Sequence, residues 1–500
     1  MKRISISLFA LILAASSFTS CKNDDENIDD SSSNDLPFLY NGNEIGNGDR
    51  EYEINGKYTL PKGTYLMKGF IYVTKGSELT IEPGTVIKGD TETMGSLIVE
   101  PGGKIYAQGT KTSPIVFTSA KEPGQRKPGD WGGIIICGYA QNNLGKQLIE
   151  GGPRTMHGNV EGFVDNNDNS GVLSYVRLEY PGYPFDTDKE INGLTLGSVG
   201  NGTKIDHVQV SYSNDDSFEW FGGSVNCKYL VAYHGWDDDF DTDNGFSGNL
   251  QFLLGVRHPK IADTSLSNGF ESDNSSTSQG EPYTNPIFSN VTLVGPVAQA
   301  DNFVNSAEFI KPGDVNLNPN NGSKTGVFQA AMQVRRNSRL TCFNSVAIGY
   351  PVGLMIENDK SSTTQTWADN GNLKLKNLVY ANMSILGSDK NKSFLDQYCP
   401  DATTPDETKE SFSATFFKNV ANNNRYFASV DDLKLQQPNS TKSNPSYAPV
   451  SGSPLLTGAD FSDNLLQSGF DKVNYIGAFA STSDNWMEGW TNFDPQNTVY

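Results

Sequence analysis

"SVNCKYLVA" (224–232), "SGNLQFLLG" (247–255) and "FSNVTLVGP" (288–296) set Asn226, Asn249 and Asn290 each directly before a run of strand-forming residues. "CFNSVAIG" (342–349) and "LKNLVYAN" (375–382) continue the series with Asn344 and Asn377. One and three places after the asparagine stand Cys227 and Tyr229, Leu250 and Phe252, Val291 and Leu293. That alternation predicts strands with one buried face. Nearer the start, "LTIEPGTVIKG" (79–89) and "LIVEPGGKIYAQG" (97–109) repeat Leu, Glu, Pro and Gly at an offset of 97 − 79 = 18 residues. Short strands returning every 18 to 30 residues or so predict one coil per repeat, each stacked on the next. A β-propeller or a sandwich does not account for repeats so irregular in length with matching asparagines.

The pattern resembles the right-handed parallel β-helix of pectate lyases and their relatives. The resemblance implies an all-β solenoid in which like residues stack into ladders about 4.8 Å apart, with Asn226, Asn249 and Asn290 forming one ladder at a turn. "GDWGGIIICG" (129–138), "DNNDNSGVLSYVRLEY" (165–180) and the 214–249 run also resemble envelope lipoproteins of the Bacteroidota, a family that implies an address and no activity. The β-helix is expected over 52–392, and 393–500 as an irregular C-terminal capping region packed on the solenoid. In that region "TKESFSATFFKNVANN" (408–423) suggests a short helix. "NWMEGWTNFDPQNTVY" (485–500) supplies Trp486 and Trp490 to cover an open solenoid end.

The N-terminus reads as an export signal. A charged start and the apolar run "ISISLFALILAASSFTS" (4–20) end at Cys21, which resembles the lipidated first residue of a bacterial lipoprotein. Residues 1–20 are thus expected to be a signal peptide, and 21–51 a lipidated cysteine with an acidic tether too polar to fold alone. Lys22 and the acids after it resemble the signal that sends such lipoproteins to the outer face of the outer membrane. The net charge of −20 argues against nucleic acid or an acidic ligand as partner. Fifty glycines point to turns and short strands. Cys137, Cys227, Cys342 and Cys399 are widely spaced, and the first three lie in apolar runs that suit buried thiols.

Three stretches carry the charge: "DDSFEWFGG" (215–223), "DDDFDTDNG" (237–245) and "SNGFESDNSS" (267–276). Each has Phe followed by an acid, which aligns Glu219, Asp241 and Glu271 on successive coils, with Asp243 and Asp273 two residues on. Unit charges about 5 Å apart repel by roughly 3 kcal/mol at an effective dielectric of 20, so something must offset them. Calcium suits oxygen donors, and Asp239, Asp241, Asp243, Glu219, Glu271 and Asp273 are its expected ligands. Asp165, Asn167 and Asn169 make a second, weaker metal loop. Both loops depart from an EF-hand, because the glycine comes one residue late.

Trp220, Phe221 and Trp236 adjoin the acids as candidate ligand-binding residues. The expected function is therefore a surface-exposed outer-membrane binding or accessory lipoprotein, taking a glycan, nutrient or partner protein, and working beside a TonB-dependent transporter. The alternative is a calcium-dependent polysaccharide lyase or a glycoside hydrolase with Asp216, Asp238 and Arg257 as catalytic residues. Resemblance to the lyases implies an arginine base, and Ala262 stands where their second arginine is expected. No nucleophile elbow, phosphate loop or organic cofactor fingerprint is present.

Overall fold

The computed structural model describes residues 36–186, 189–311, 317, 323–437 and 446–500. The expected signal peptide, Cys21 and most of the tether lie outside the described residues. From Pro37 onward the chain forms one compact unit, a parallel β-helix.

Eleven short strands, one per coil, make the first ladder, and every pairing in it is parallel. Its middle rungs are Leu194–Gly197, Phe218–Phe221, Phe240–Asp243 and Phe270–Ser272. Strand geometry sends alternate side chains to opposite faces. Phe218, Phe240 and Phe270 therefore point inward and stack with ring centroids 5.6 Å apart at each step. Glu219, Asp241 and Glu271 share the outer face, in the register that the Phe–acid motif predicts.

The second ladder is bent. Long strands such as Lys204–Ser211, Asn226–Tyr233, Asn249–Val256 and Ile287–Val294 each hold one residue in the left-handed region: His207, Tyr229, Phe252 and Asn290, with φ from 51° to 63°. Asn344 and Asn377 continue the same column at φ 51° and 58°. The ladder of asparagines is accordingly Asn290, Asn344 and Asn377, because asparagine tolerates this conformation best after glycine. Asn226 and Asn249 correct the sequence reading: they sit at strand starts, where the Asn226 Oδ1 accepts the Asn249 N–H at 2.8 Å. The bend also shifts the alternation, so that Cys227 and Leu230 are the buried pair and Tyr229 turns outward. In the earlier coils rings replace the amides, Tyr175, His207, Tyr229 and Phe252 stacking at 4.2, 4.5 and 5.1 Å.

The C-terminal region divides into two parts. Helix Phe412–Lys418, capped by Ser411, lies against the last rungs of the first ladder, with Phe417 stacked on Tyr380 at 4.6 Å. Strand Arg425–Phe427 still joins the second ladder, past residue 392 where the sequence reading began the cap. Beyond Gly458 the chain runs back along the flank of the solenoid. Its backbone bonds Asn377 and Asn344 through Gly458 and Asp460, then Gln251 and Asn290 through Asp471 and Tyr475, and finally Gln209 through Asn492. Trp490 packs edge-on to Tyr175 and His207, and Trp486 tilts on Tyr229. These tryptophans thus cover the aromatic column on the flank and leave the solenoid end to the helix. The four described cysteines are buried and free.

Asn344 holds both devices together. Its Oδ1 accepts from Asn377 Nδ2 at 2.7 Å and from Asp460 N at 2.8 Å, and its Nδ2 donates to Asp460 O at 3.0 Å. Asn344→Ala should cost about 3 kcal/mol in denaturant melts, from lost buried hydrogen bonds and a strained backbone. Asn226→Ala should cost less than about 1 kcal/mol. Equal losses would refute the reassigned ladder.

Candidate functional site

Down the outer face of the first ladder one column reads Tyr72, Ile98, Ile135, Thr195, Glu219, Asp241, Glu271, Gln333 and Met355. The column changes from apolar to acidic and back within a few rungs. Loops entering these strands add Asp215, Asp216, Asp237, Asp238 and Asp239 from "NDDS" and "WDDDF", so stacking brings two runs of acids side by side.

This acidic field splits in two. On one side arginines neutralise it. Glu271 pairs with Arg335, Asp273 with Arg335 at 2.8 Å and Arg336 at 2.6 Å, and Asp239 with the fully buried Arg257 at 3.0 Å. On the other side Asp215, Asp216, Glu219, Asp237, Asp238, Asp241 and Asp243 have no ion-pair partner among the described residues. Carboxylate oxygens of Asp215, Asp216 and Asp237 lie within 4.8 Å of one another, as do those of Asp216, Glu219 and Asp241. Neutral donors satisfy part of this group. Asp216 Oδ1 accepts the Asp238 N–H at 2.8 Å, Asp238 Oδ1 the Asn268 N–H, Asp237 Oδ2 the Ser265 hydroxyl, and Glu219 the Asn192 amide. Asp241 Oδ1 and the Thr195 hydroxyl beside Glu219 are buried with no hydrogen-bond partner among the described residues.

Desolvation first and mutual repulsion second push these acids toward the protonated form. Asp237 and Asp243 rise from 3.8 to about 8, and Asp215, Asp216, Glu219, Asp238 and Asp241 also rise well above the ordinary range. Asp239, which has its arginine, reaches only about 6.

The structure redistributes the residues read from sequence. Glu219, Asp241 and Asp243 stay in the unneutralised group, whereas Asp239, Glu271 and Asp273 face arginines and are corrected from the expected ligand set. Arg257 donates to Asp239 and to the Trp236 carbonyl; buried and paired, it does not fit the part of a lyase base. Trp220 and Trp236 are fully buried, which overturns their reading as ligand platforms. Alternation sends Trp220 inward with Phe218 and leaves Phe221 outward with Glu219. In the second loop Asp165 Oδ1 and Asn169 Oδ1 accept backbone N–H groups of Asn167 and Gly171, as in an ordinary solvated turn. Asp216 and Asp238, weighed as catalytic acids, fall inside the acidic group. The arginines were missed, although "VRRNS" follows its strand at the offset of Asp273 after "FES".

A family model described as a pectate-lyase-like β-helix domain matches residues 52–425. No curated protein and no solved structure matches the chain.

The raised carboxyls fix a sign for the pH dependence. The folded form binds more protons than the unfolded chain between the ordinary carboxylate range near 3.8 and the folded value of about 8. Stability in chelator should therefore fall as pH rises through that window. Calcium should flatten the slope by holding the acids ionised. Melting temperatures measured across that window test this, and a chelated protein that grows more stable with rising pH would contradict it.

Proposed function

We infer that this chain, which belongs to the pectate-lyase-like β-helix family, is a lipid-anchored outer-membrane binding or accessory protein that carries calcium on its acidic face. The fold alone assigns no chemistry. The observation that carries the reading is the group of seven acids with no ion-pair partner among the described residues, on a ladder whose next rungs are neutralised by arginine.

Calcium fits the donors present. Asp215, Asp216 and Asp237 form one oxygen cluster, and Asp216, Glu219 and Asp241 a second. The unpartnered Asp241 Oδ1 and Thr195 hydroxyl offer more of the hard oxygens that this ion takes in sixes to eights. The pairing of the buried Arg257 with Asp239 speaks against a lyase base at that position and supports binding without turnover. The lipobox-like Cys21 and its acidic tether support an anchor and an exterior address, and an outer-membrane transporter of the TonB-dependent type or a glycan is the expected partner.

Two measurements test the reading. Calcium at a hundredfold excess over its Kd should add about 2.7 kcal/mol of stability, and Asp216→Asn, which lies in both clusters, should remove most of it; no calcium effect and no bound metal would refute the site. Purified protein incubated with a glycan panel should retain ligand and release no new reducing or unsaturated ends. Products abolished by Asp216→Asn or Asp238→Asn would show a hydrolase or lyase instead. For the address, Cys21→Ala should release the protein from membranes, and a wild type shielded from external protease on intact cells would contradict surface exposure.

A further inference from the structure

Where the outer column passes from Ile135 to Glu219, two hairpins fold over it. The first pairs Lys146–Leu148 with Met156–Gly158, and the second pairs Pro184–Asp186 with Lys189–Glu190. They enclose a cavity of about 470 Å³ lined by Leu148, Ile149, Glu150, His157, Phe185 and Phe221, among others. This volume is the size of a small-molecule site.

Ile149 and Phe221 belong to a buried apolar cluster with Ile98, Ile135 and Ile191, and Phe185 packs on it. Leu148, also in the lining, is 59% exposed and leaves an apolar side chain in solvent at the cavity. Glu150 brings the one carboxylate of the lining, and no lysine or arginine among the described residues lines the cavity with it. The one imidazole in the lining brings no positive charge: His157 is buried, bonded to the Ser198 hydroxyl at 2.9 Å, and burial lowers its pKa to about 4.

We propose that this cavity binds a small organic cation, an ammonium group on an apolar or aromatic body, with the cation at Glu150 and the body against Leu148, Phe185 and Phe221. The cavity selects charge because the Glu150 carboxylate stands beside an apolar wall, so that an ammonium meets its partner where its organic body leaves water. Aromatic faces add to that attraction. The site goes beyond the calcium reading and does not need it, since no acid of either oxygen cluster lines the cavity.

Calorimetric titration of the full-length protein with 2-phenylethylamine, beside its uncharged counterpart 2-phenylethanol, tests the proposal in chelator and again in calcium. The amine should bind at least tenfold more tightly than the alcohol. Glu150→Gln should weaken the amine about tenfold and leave the alcohol unchanged, and Leu148→Ala should weaken both about threefold. Both side chains are exposed, so neither variant threatens the fold. Asp216→Asn, which lies in both oxygen clusters and outside the cavity lining, should remove most of the calcium effect and change amine affinity less than threefold, which separates failure of this site from failure of the metal reading. Equal affinity for amine and alcohol, indifference to both cavity variants, or binding only of a basic apolar peptide would overturn the assignment.

Discussion

In-register parallel stacking is the constraint on which everything else here depends. A coil that repeats Phe–acid must place its acid roughly 5 Å from the acid above and below, whatever that costs in repulsion. The inner aromatic stack of Phe218, Phe240 and Phe270 fixes the register, and the outer face inherits it. A slip of one residue would bury the acids and expose the rings, so the register cannot relax to ease the charges. The protein answers with arginines where "VRRNS" stacks on "FESDN" and offers no such partner at Asp215, Asp216, Glu219, Asp237 and Asp241. Among the described residues, the neutralised rungs carry arginine beside their acids and the others carry protons or neutral donors instead.

The same stacking explains the flank. A left-handed residue in every long strand points one side chain outward at the bend, and these form a continuous ribbon, rings in the earlier coils and asparagines in the later ones. That ribbon is half apolar and half unsatisfied amide. The returning C-terminal segment meets both needs, with Trp486 and Trp490 against the rings and its backbone against Gln209, Gln251, Asn290, Asn344 and Asn377.

Much of this is legible in the chain. The strand repeats follow from periodicity, the parallel ladder from the resemblance to pectate-lyase-like β-helices, and the alignment of Glu219, Asp241 and Glu271 from the shared Phe–acid pair. What escaped were properties of single positions that periodicity does not carry. Tyr229 looked like a core residue because a left-handed bend, which inverts the alternation, leaves no mark when an aromatic occupies it, whereas Phe252 at the same bend is buried as its spacing suggests. Trp220 was paired with Phe221 by adjacency, although adjacent strand residues face opposite ways. Arg257, Arg335 and Arg336 neutralise acids far off in sequence, and the cavity depends on two hairpins inserted between coils, where the repeat is broken.

Burial first, and the repulsion that stacking adds, push these carboxyl groups toward the protonated form, and a bound cation would take the place of the protons. Infrared difference spectroscopy of metal-free protein at neutral pH reads this directly through the carbonyl band of protonated carboxyls. The account predicts such a band in the metal-free protein, weakened in Asp216→Asn, and its disappearance with release of protons when calcium is added. A metal-free protein whose carboxyls are all ionised at neutral pH, with no protons released on adding calcium, would contradict it.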